Sequence, residues 1–148
     1  MPVVRELPAG ETARAARALL ELRPQYGDAA ALAARVDDVQ RAEGYRVLGS
    51  FDDGADEAAA AAGFRVVESL HWGRGLYVDD LVTLPEARGR GHAAALFAWL
   101  DEEMGRLGCD SFHLDSGVGP ERADAHRFYF RHRLRITSYH FAREGRPG

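Results

Sequence analysis

The sequence predicts an α/β fold of the α+β kind, a mixed and mostly antiparallel sheet flanked by helices, built as one domain over residues 1–148. Three observations carry this. Two turn signals, Asp52-Asp53-Gly54 and Gly73-Arg74-Gly75, separate three runs of strand character, which gives an antiparallel meander. A glycine-rich junction, Arg88-Gly89-Arg90-Gly91-His92-Ala93, joins the last of these runs to a long alanine- and leucine-rich helix, and another strand follows. Strand, helix and strand in that order imply a right-handed parallel crossover, so the sheet is mixed. The third observation is length: 148 residues suffice for one ordinary core and are short for two.

Taken in order, Pro2 to Leu7 reads as a short first strand. From Thr12 to Arg23 the alanines and leucines suit a helix that Pro24 stops, and Asp28 can cap a second helix with Leu32, Val36 and Val39 on one face. Gly44 ends it. Tyr45 to Phe51 is the next strand and Glu57 to Ser69 its partner; the alanines at 58–62 lean towards helix, but Gly63, Val66 and Val67 between two turn signals favour strand. Leu76 to Thr83 is the strand that reaches the glycine-rich junction. Gly91 to Leu107 forms a helix whose Leu96, Leu100, Met104 and Leu107 share a face, with Trp99 beside them and Gly108 as the stop. A strand from Ser111 to Asp115, a helix from Ala123 to about Arg131 and a last strand from Arg135 to Phe141 follow, with a frayed end at 144–148.

Composition excludes several function classes. The net charge of -4 leaves no basic footprint, so no nucleic-acid partner is expected. All 19 basic residues are Arg, so there is no Walker or Schiff-base lysine. Cys109, the one thiol, has no disulfide partner within the chain and reads as a small buried hydrophobe, and no His or Cys spacing suggests a metal. The start of the chain lacks an apolar run long enough for a signal peptide or a membrane span, so a cytoplasmic protein without a membrane partner is expected. No oligomeric state is legible, which leaves a homodimer open.

The glycine-rich junction places flexible backbone where a helix opens after a strand. The first amides of such a helix lack intrahelical partners, and its dipole favours negative charge. The glycines Gly89 and Gly91 remove Cβ atoms that would hold a diphosphate away, while Arg88 and Arg90 add positive charge. The dinucleotide pattern G-x-G-x-x-G fails, because its last glycine position is Ala94.

Downstream, Phe112 to Gly117 reads as a strand and Ala125-His126-Arg127-Phe128-Tyr129 lies on the next helix. With these residues the chain resembles the GNAT superfamily of acyl-CoA-dependent N-acyltransferases, whose cofactor motif is Q/R-x-x-G-x-G/A and whose later motif is A-x-x-F/L-Y. Arg88, Gly91 and Ala93 fit the first motif; Ala125, Phe128 and Tyr129 fit the second. Two positions depart: Arg122 stands where the family often has Asn, and Arg133 where it often has Gly.

The resemblance implies that the strands before and after the junction splay apart to admit the pantetheine arm of acetyl-CoA. Leu81, Val82 and Thr83 would meet it through main-chain groups, and Arg88, Gly89, Arg90, Gly91, His92 and Ala93 would hold the pyrophosphate, with the His92 side chain incidental. An alkylammonium of pKa roughly 10.4 must lose a proton before it attacks, and a carboxylate can take it directly or through water. Asp79 and Asp80 are the candidates, and strand alternation sends them to opposite faces. Polyamine-acetylating relatives carry an acidic pair here, which favours Asp79. Tyr129 is the implied group for the departing thiolate. Full proton transfer from a phenol near 10 to a thiol near 8.5 is uphill by roughly 2 kcal/mol, so hydrogen bonding to developing thiolate is the easier role. His126 reads as a supporting group, and Glu68 and Trp72 as candidates for pocket or packing.

The expected activity is therefore N-acetyl transfer from acetyl-CoA to a primary amine, without a covalent enzyme intermediate or a metal. A small-molecule amine is favoured over a peptide amine, and the helical pair around 23–26 and 36–39 would overhang it. The rival is a non-catalytic acyl-CoA-binding or interaction domain with the same fold.

Overall fold

Hairpins build most of the sheet. In a computed structural model, which describes residues 1–146, β1 (Val3–Leu7) pairs with β2 (Arg46–Phe51), β2 with β3 (Ala60–Ser69) and β3 with β4 (Gly73–Thr83), all antiparallel. Strand β5 (Ser111–Leu114) joins β4 in parallel, and the order is β1-β2-β3-β4-β5. Three helices, α1 (Ala13–Leu22), α2 (Ala29–Arg35) and α3 (His92–Leu107), belong with this sheet to one compact unit that ends at Leu114. A second unit starts at Asp115 and holds α4 (Ala123–Arg131).

In the first unit the alternation of β2 divides two apolar layers. Val47 and Phe51 join Leu7, Leu19, Leu32 and Val36 in the core under α1 and α2. On the other face lie Phe64, edge-on to Trp99 of α3, and Phe97 of α3, which meets Phe112 of β5. The alanine run enters the sheet because both faces are crowded: Ala58 to Ala62 are all buried, and small side chains let the helices approach. Leu96 and Leu100 of the predicted α3 stripe are buried, whereas Met104 and Leu107 are half-buried.

Asp28 caps α2 as expected, accepting from the Ala31 amide at 2.8 Å. The helix then widens into a π turn, Val36–Gln40. That turn overturns part of the expected face, because its extra residue rotates the chain: Leu32 and Val36 are buried while Val39 is exposed. Thr12 is buried at the start of α1 without capping it; its hydroxyl donates to Asp37 in the π turn at 2.6 Å and accepts from Arg41.

In the second unit, α4 ends in a paired reversal. The Leu134 amide donates to the Tyr129 carbonyl at 3.0 Å and the Arg133 amide to that of Phe130 at 3.1 Å. Arg133 has φ +67, a left-handed conformation ordinarily taken by glycine. The expected strand over 135–141 does not form among the described residues, and Ile136, Tyr139 and Phe141 are exposed. Alternation shows that a segment can pair, but pairing needs a partner edge that the alternation does not supply. Of the expected frayed end, residues 147 and 148 lie outside the described chain.

Candidate active site

The opening of α3 has the geometry of an anion cradle. Gly89 and Gly91 take φ +82 and +85, and the first α-helical bond runs from the Ala95 amide to the Gly91 carbonyl. The amides of His92, Ala93 and Ala94 therefore precede the helical ladder, and no side chain caps them. A Cβ built on Gly89 or Gly91 meets nothing within 4 Å, so space for a diphosphate stands in front of the loop. These residues fit the diphosphate of an acyl-CoA. The arginines divide: Arg88 is exposed and has no ion pair among the described residues, whereas Arg90 binds Asp52 at 2.7 Å and the Glu86 carbonyl.

The His92 side chain is not incidental. It is buried, with Nδ1 2.7 Å from the Ser50 hydroxyl and Nε2 3.0 Å from Asp52, so it ties the cradle to the end of β2. The Arg90 guanidinium, then the His92 contact, holds the Asp52 carboxyl below its ordinary pKa.

Strand β4 leads from this cradle to the acidic pair. Its parallel pairing with β5 runs from Gly75↔Ser111 to Val78↔Leu114 and stops, while pairing with β3 continues to Ala60↔Thr83. Strand β5 ends there, and Leu81, Val82 and Thr83 lie beyond its paired length on β4, with no ladder to β5 among the described residues. All three are half-buried, and Val82 packs on the core beneath α1.

Regular alternation is interrupted at Asp79 and Asp80. A β-bulge between Gly63 and Phe64 sets Gly63 against Asp80 and Phe64 against Val78, so Asp79 is the extra residue of β4. Both residues line one cavity of about 280 Å3, where the Asp79 backbone carbonyl accepts from Arg23 at 3.2 Å. Leu19 and Arg23 come to it from α1 and its end, and Tyr26 from the 3-10 turn that follows. Leu32, Arg35, Val36 and Gln40 come from α2 and the π turn. Of the stretches 23–26 and 36–39, Arg23, Gln25, Tyr26 and Val36 line the cavity.

Each carboxylate has a defined partner set. Arg65 grips both oxygens of Asp79 at 2.8 Å. Asp80 accepts from Arg23 at 2.7 Å and from the Tyr45 hydroxyl at 2.8 Å. Burial, then the Asp80 charge, pushes the Tyr45 phenol well above its usual range, so it stays a neutral donor. Tyr45 was missed in the sequence; the signal was Gly63 inside a strand pattern, which marks a close approach.

In the second unit Tyr129 is half-buried on α4, its ring edge-on to Phe128. Burial raises its pKa against an opposing effect of Arg122. His126 Nε2 sits 2.9 Å from the Gly117 carbonyl and 3.0 Å from the Ser116 hydroxyl. Neither Glu68 nor Trp72 lines the cavity: the exposed Glu68 pairs with Arg74, and Trp72 stacks on His113 with centroids 3.6 Å apart. Burial raises the half-buried Cys109 thiol, the opposite of nucleophile activation. Among the described residues no His, Cys, Asp or Glu group is placed to hold a metal, and no helix is long and apolar enough to cross a membrane.

The model of the acetyltransferase (GNAT) family matches residues 14–133. The chain belongs to this family. Among curated proteins it is similar to an aminoalkylphosphonate N-acetyltransferase of Salmonella typhimurium, with 33% identity over 66 residues, which cover 45% of this chain and 42% of that protein. It is similar to the uncharacterized N-acetyltransferase YhdJ of Bacillus subtilis, 32% identical over 95 residues, 64% of each chain. In both cases the match spans less than two thirds of the relative's length. In fold it is similar to an aminoglycoside N-acetyltransferase solved in complex with CoA, with TM-score 0.78, 17% identity and coverage of 99% of this chain and 96% of the other.

Proposed function

We propose that this GNAT chain transfers the acetyl group of acetyl-CoA directly to a primary amine, a small molecule rather than a peptide, bound in the cavity under α1 and α2. The observation that carries this reading is the course of β4. One strand joins an acidic pair bordering a cavity to an amide cradle suited to a diphosphate, and between them it runs beyond its paired length with β5. The cavity volume, about 280 Å3, lies at the small end for ligand sites and supports a small acceptor. The aminoalkylphosphonate relative and the CoA-bound structural neighbour support the same acceptor class and donor. The family match crosses the boundary between the two compact units, which supports a single GNAT domain.

Acetyl-CoA supplies the thioester carbon and the leaving thiolate. The amides of His92, Ala93 and Ala94, with Arg88, hold its diphosphate, and the edge of Leu81, Val82 and Thr83 pairs with its amide-bearing arm. Asp79 orients the acceptor ammonium and takes its proton directly or through water. As the C–N bond forms and the C–S bond breaks, the Tyr129 hydroxyl donates a hydrogen bond to the sulfur. With its pKa raised by burial, that phenol favours donation over early proton transfer.

Thiol release from acetyl-CoA with a panel of primary amines, read together with the mass of the acetylated product, tests the proposal. Turnover with at least one amine is expected. Acetyl-CoA binding without turnover on any amine would leave the acyl-CoA-binding domain as the function.

A further inference from the structure

Of the guanidiniums at the cavity or paired with its acids, Arg23 and Arg65 are matched by a carboxylate among the described residues and Arg35 is not. Asp79 is held by Arg65 and Asp80 by Arg23, so both acids already have guanidinium partners. Arg35 also borders the cavity, and its hydrogen bond goes to the neutral Gln40 side chain, Nε to Oε1 at 3.1 Å. No carboxylate among the described residues lies within 4.0 Å of it. Helix ends commonly attract arginine, but α2 runs on into the π turn, so Arg35 faces no exposed helix terminus there. Arg35 is exposed as a residue yet lines the cavity, which places it at the mouth.

We propose that Arg35 is a specificity-determining residue: the cavity takes a small primary amine whose far end is an oxyanion. This rests on the acceptor site proposed above. The acidic pair on β4 forms the pole for the ammonium, and Arg35 on the helical wall forms the pole for the anion. A guanidinium binds carboxylate, sulfonate and phosphonate oxygens through paired N–H donors, so the shared chemistry is the oxyanion. A polyamine would bring a second positive charge to the guanidinium at the mouth.

The test is a matched series of ethylamines ending in carboxylate, sulfonate, phosphonate or methyl, with spermidine as the polycation. Thiol release is measured for the wild type, Arg35→Gln and Arg35→Lys. The wild type should favour oxyanion-ended amines over the methyl-ended one in kcat/KM by about 10-fold. Arg35→Gln should remove that preference through KM, and Arg35→Lys should restore part of it; the ranking of the three oxyanions identifies the head group. Preference for the methyl-ended amine or spermidine, or a preference unchanged in Arg35→Gln, overturns the inference and leaves acetyl transfer standing. If no amine releases thiol, calorimetry decides. Oxyanion-ended amines binding the wild type but not Arg35→Gln would uphold the site while acetyl transfer falls, and no binding to the wild type would overturn the site.

Discussion

Tyr45 lies across Gly63: a Cβ on residue 63 would come within 1.7 Å of the Tyr45 hydroxyl oxygen. The missing side chain on β3 lets the phenol cross the sheet and reach Asp80. Gly63→Ala should therefore destabilise the fold by about 1–3 kcal/mol, the range for overpacking. Tyr45→Ala should absorb most of that extra cost, because it removes the colliding ring. A double-mutant cycle in denaturant checks this; additive losses would show that the two positions do not interact.

Asp79 and Asp80 should separate by phenotype although both border the cavity. Asp79→Asn is expected to lower kcat/KM for the best amine severely, with less loss as pH rises and neutral amine becomes available. Asp80→Asn disturbs the contacts with Arg23 and Tyr45 and should cost stability first. Equal, pH-independent losses in activity and stability for both would remove Asp79 from the proton route.

The cradle predicts an order of binding defects. Acetyl-CoA at about 100 times its Kd should stabilise the wild type by roughly 2.7 kcal/mol in a thermal-shift titration. Gly91→Val forces a β-branched residue to φ +85 and should abolish most of that shift. Arg88→Ala should weaken it more than Arg90→Ala, because Arg90 is committed to Asp52. A folded Gly91→Val protein that binds normally would discard the cradle.

Tyr129→Phe keeps the ring and removes the hydroxyl. Turnover should fall by about 10² to 10⁴ with acetyl-CoA affinity nearly unchanged. Wild-type turnover under conditions where chemistry limits the rate would make Tyr129 a packing residue.

Glu103 gives the fold a defined acid limit. It is buried, and Arg106 and Arg46 pull its pKa from 4.5 to about 2. Its folded pKa is depressed, so its stabilisation is full above pH 4.5 and is lost as pH falls towards 2. The loss should be on the order of 2 kcal/mol, seen in urea melts across that window and missing from Glu103→Gln.

The order of the elements was legible because turn residues and apolar periodicity are local. Asp28, Gly54, Gly91 and Gly108 mark ends that depend only on neighbours in sequence. What stayed hidden depends on distant partners. Glu103 reads as a solvated helix glutamate until Arg46, 57 positions away, is brought beside it. Leu32, Val36 and Val39 fit an ordinary helical face, and the π turn that exposes Val39 leaves no mark in that spacing. Arg133 departs from the glycine often found there in the family, yet it keeps the left-handed backbone that glycine would favour. Near the candidate site, the glycine-rich start of α3 was legible and the break in alternation at the acidic pair was not, since the register against β3 decides it.

The bulge at Asp79 makes the acidic pair a matter of counting as well as chemistry. Substitution at 79 or 80 changes a functional group but leaves both positions bordering the cavity. Removing a single residue from β4 would restore regular pairing and turn one of the two carboxylates to the far side of the sheet. In this chain the length of β4 between Gly73 and Thr83 therefore bears on which acids border the cavity as much as the letters it contains.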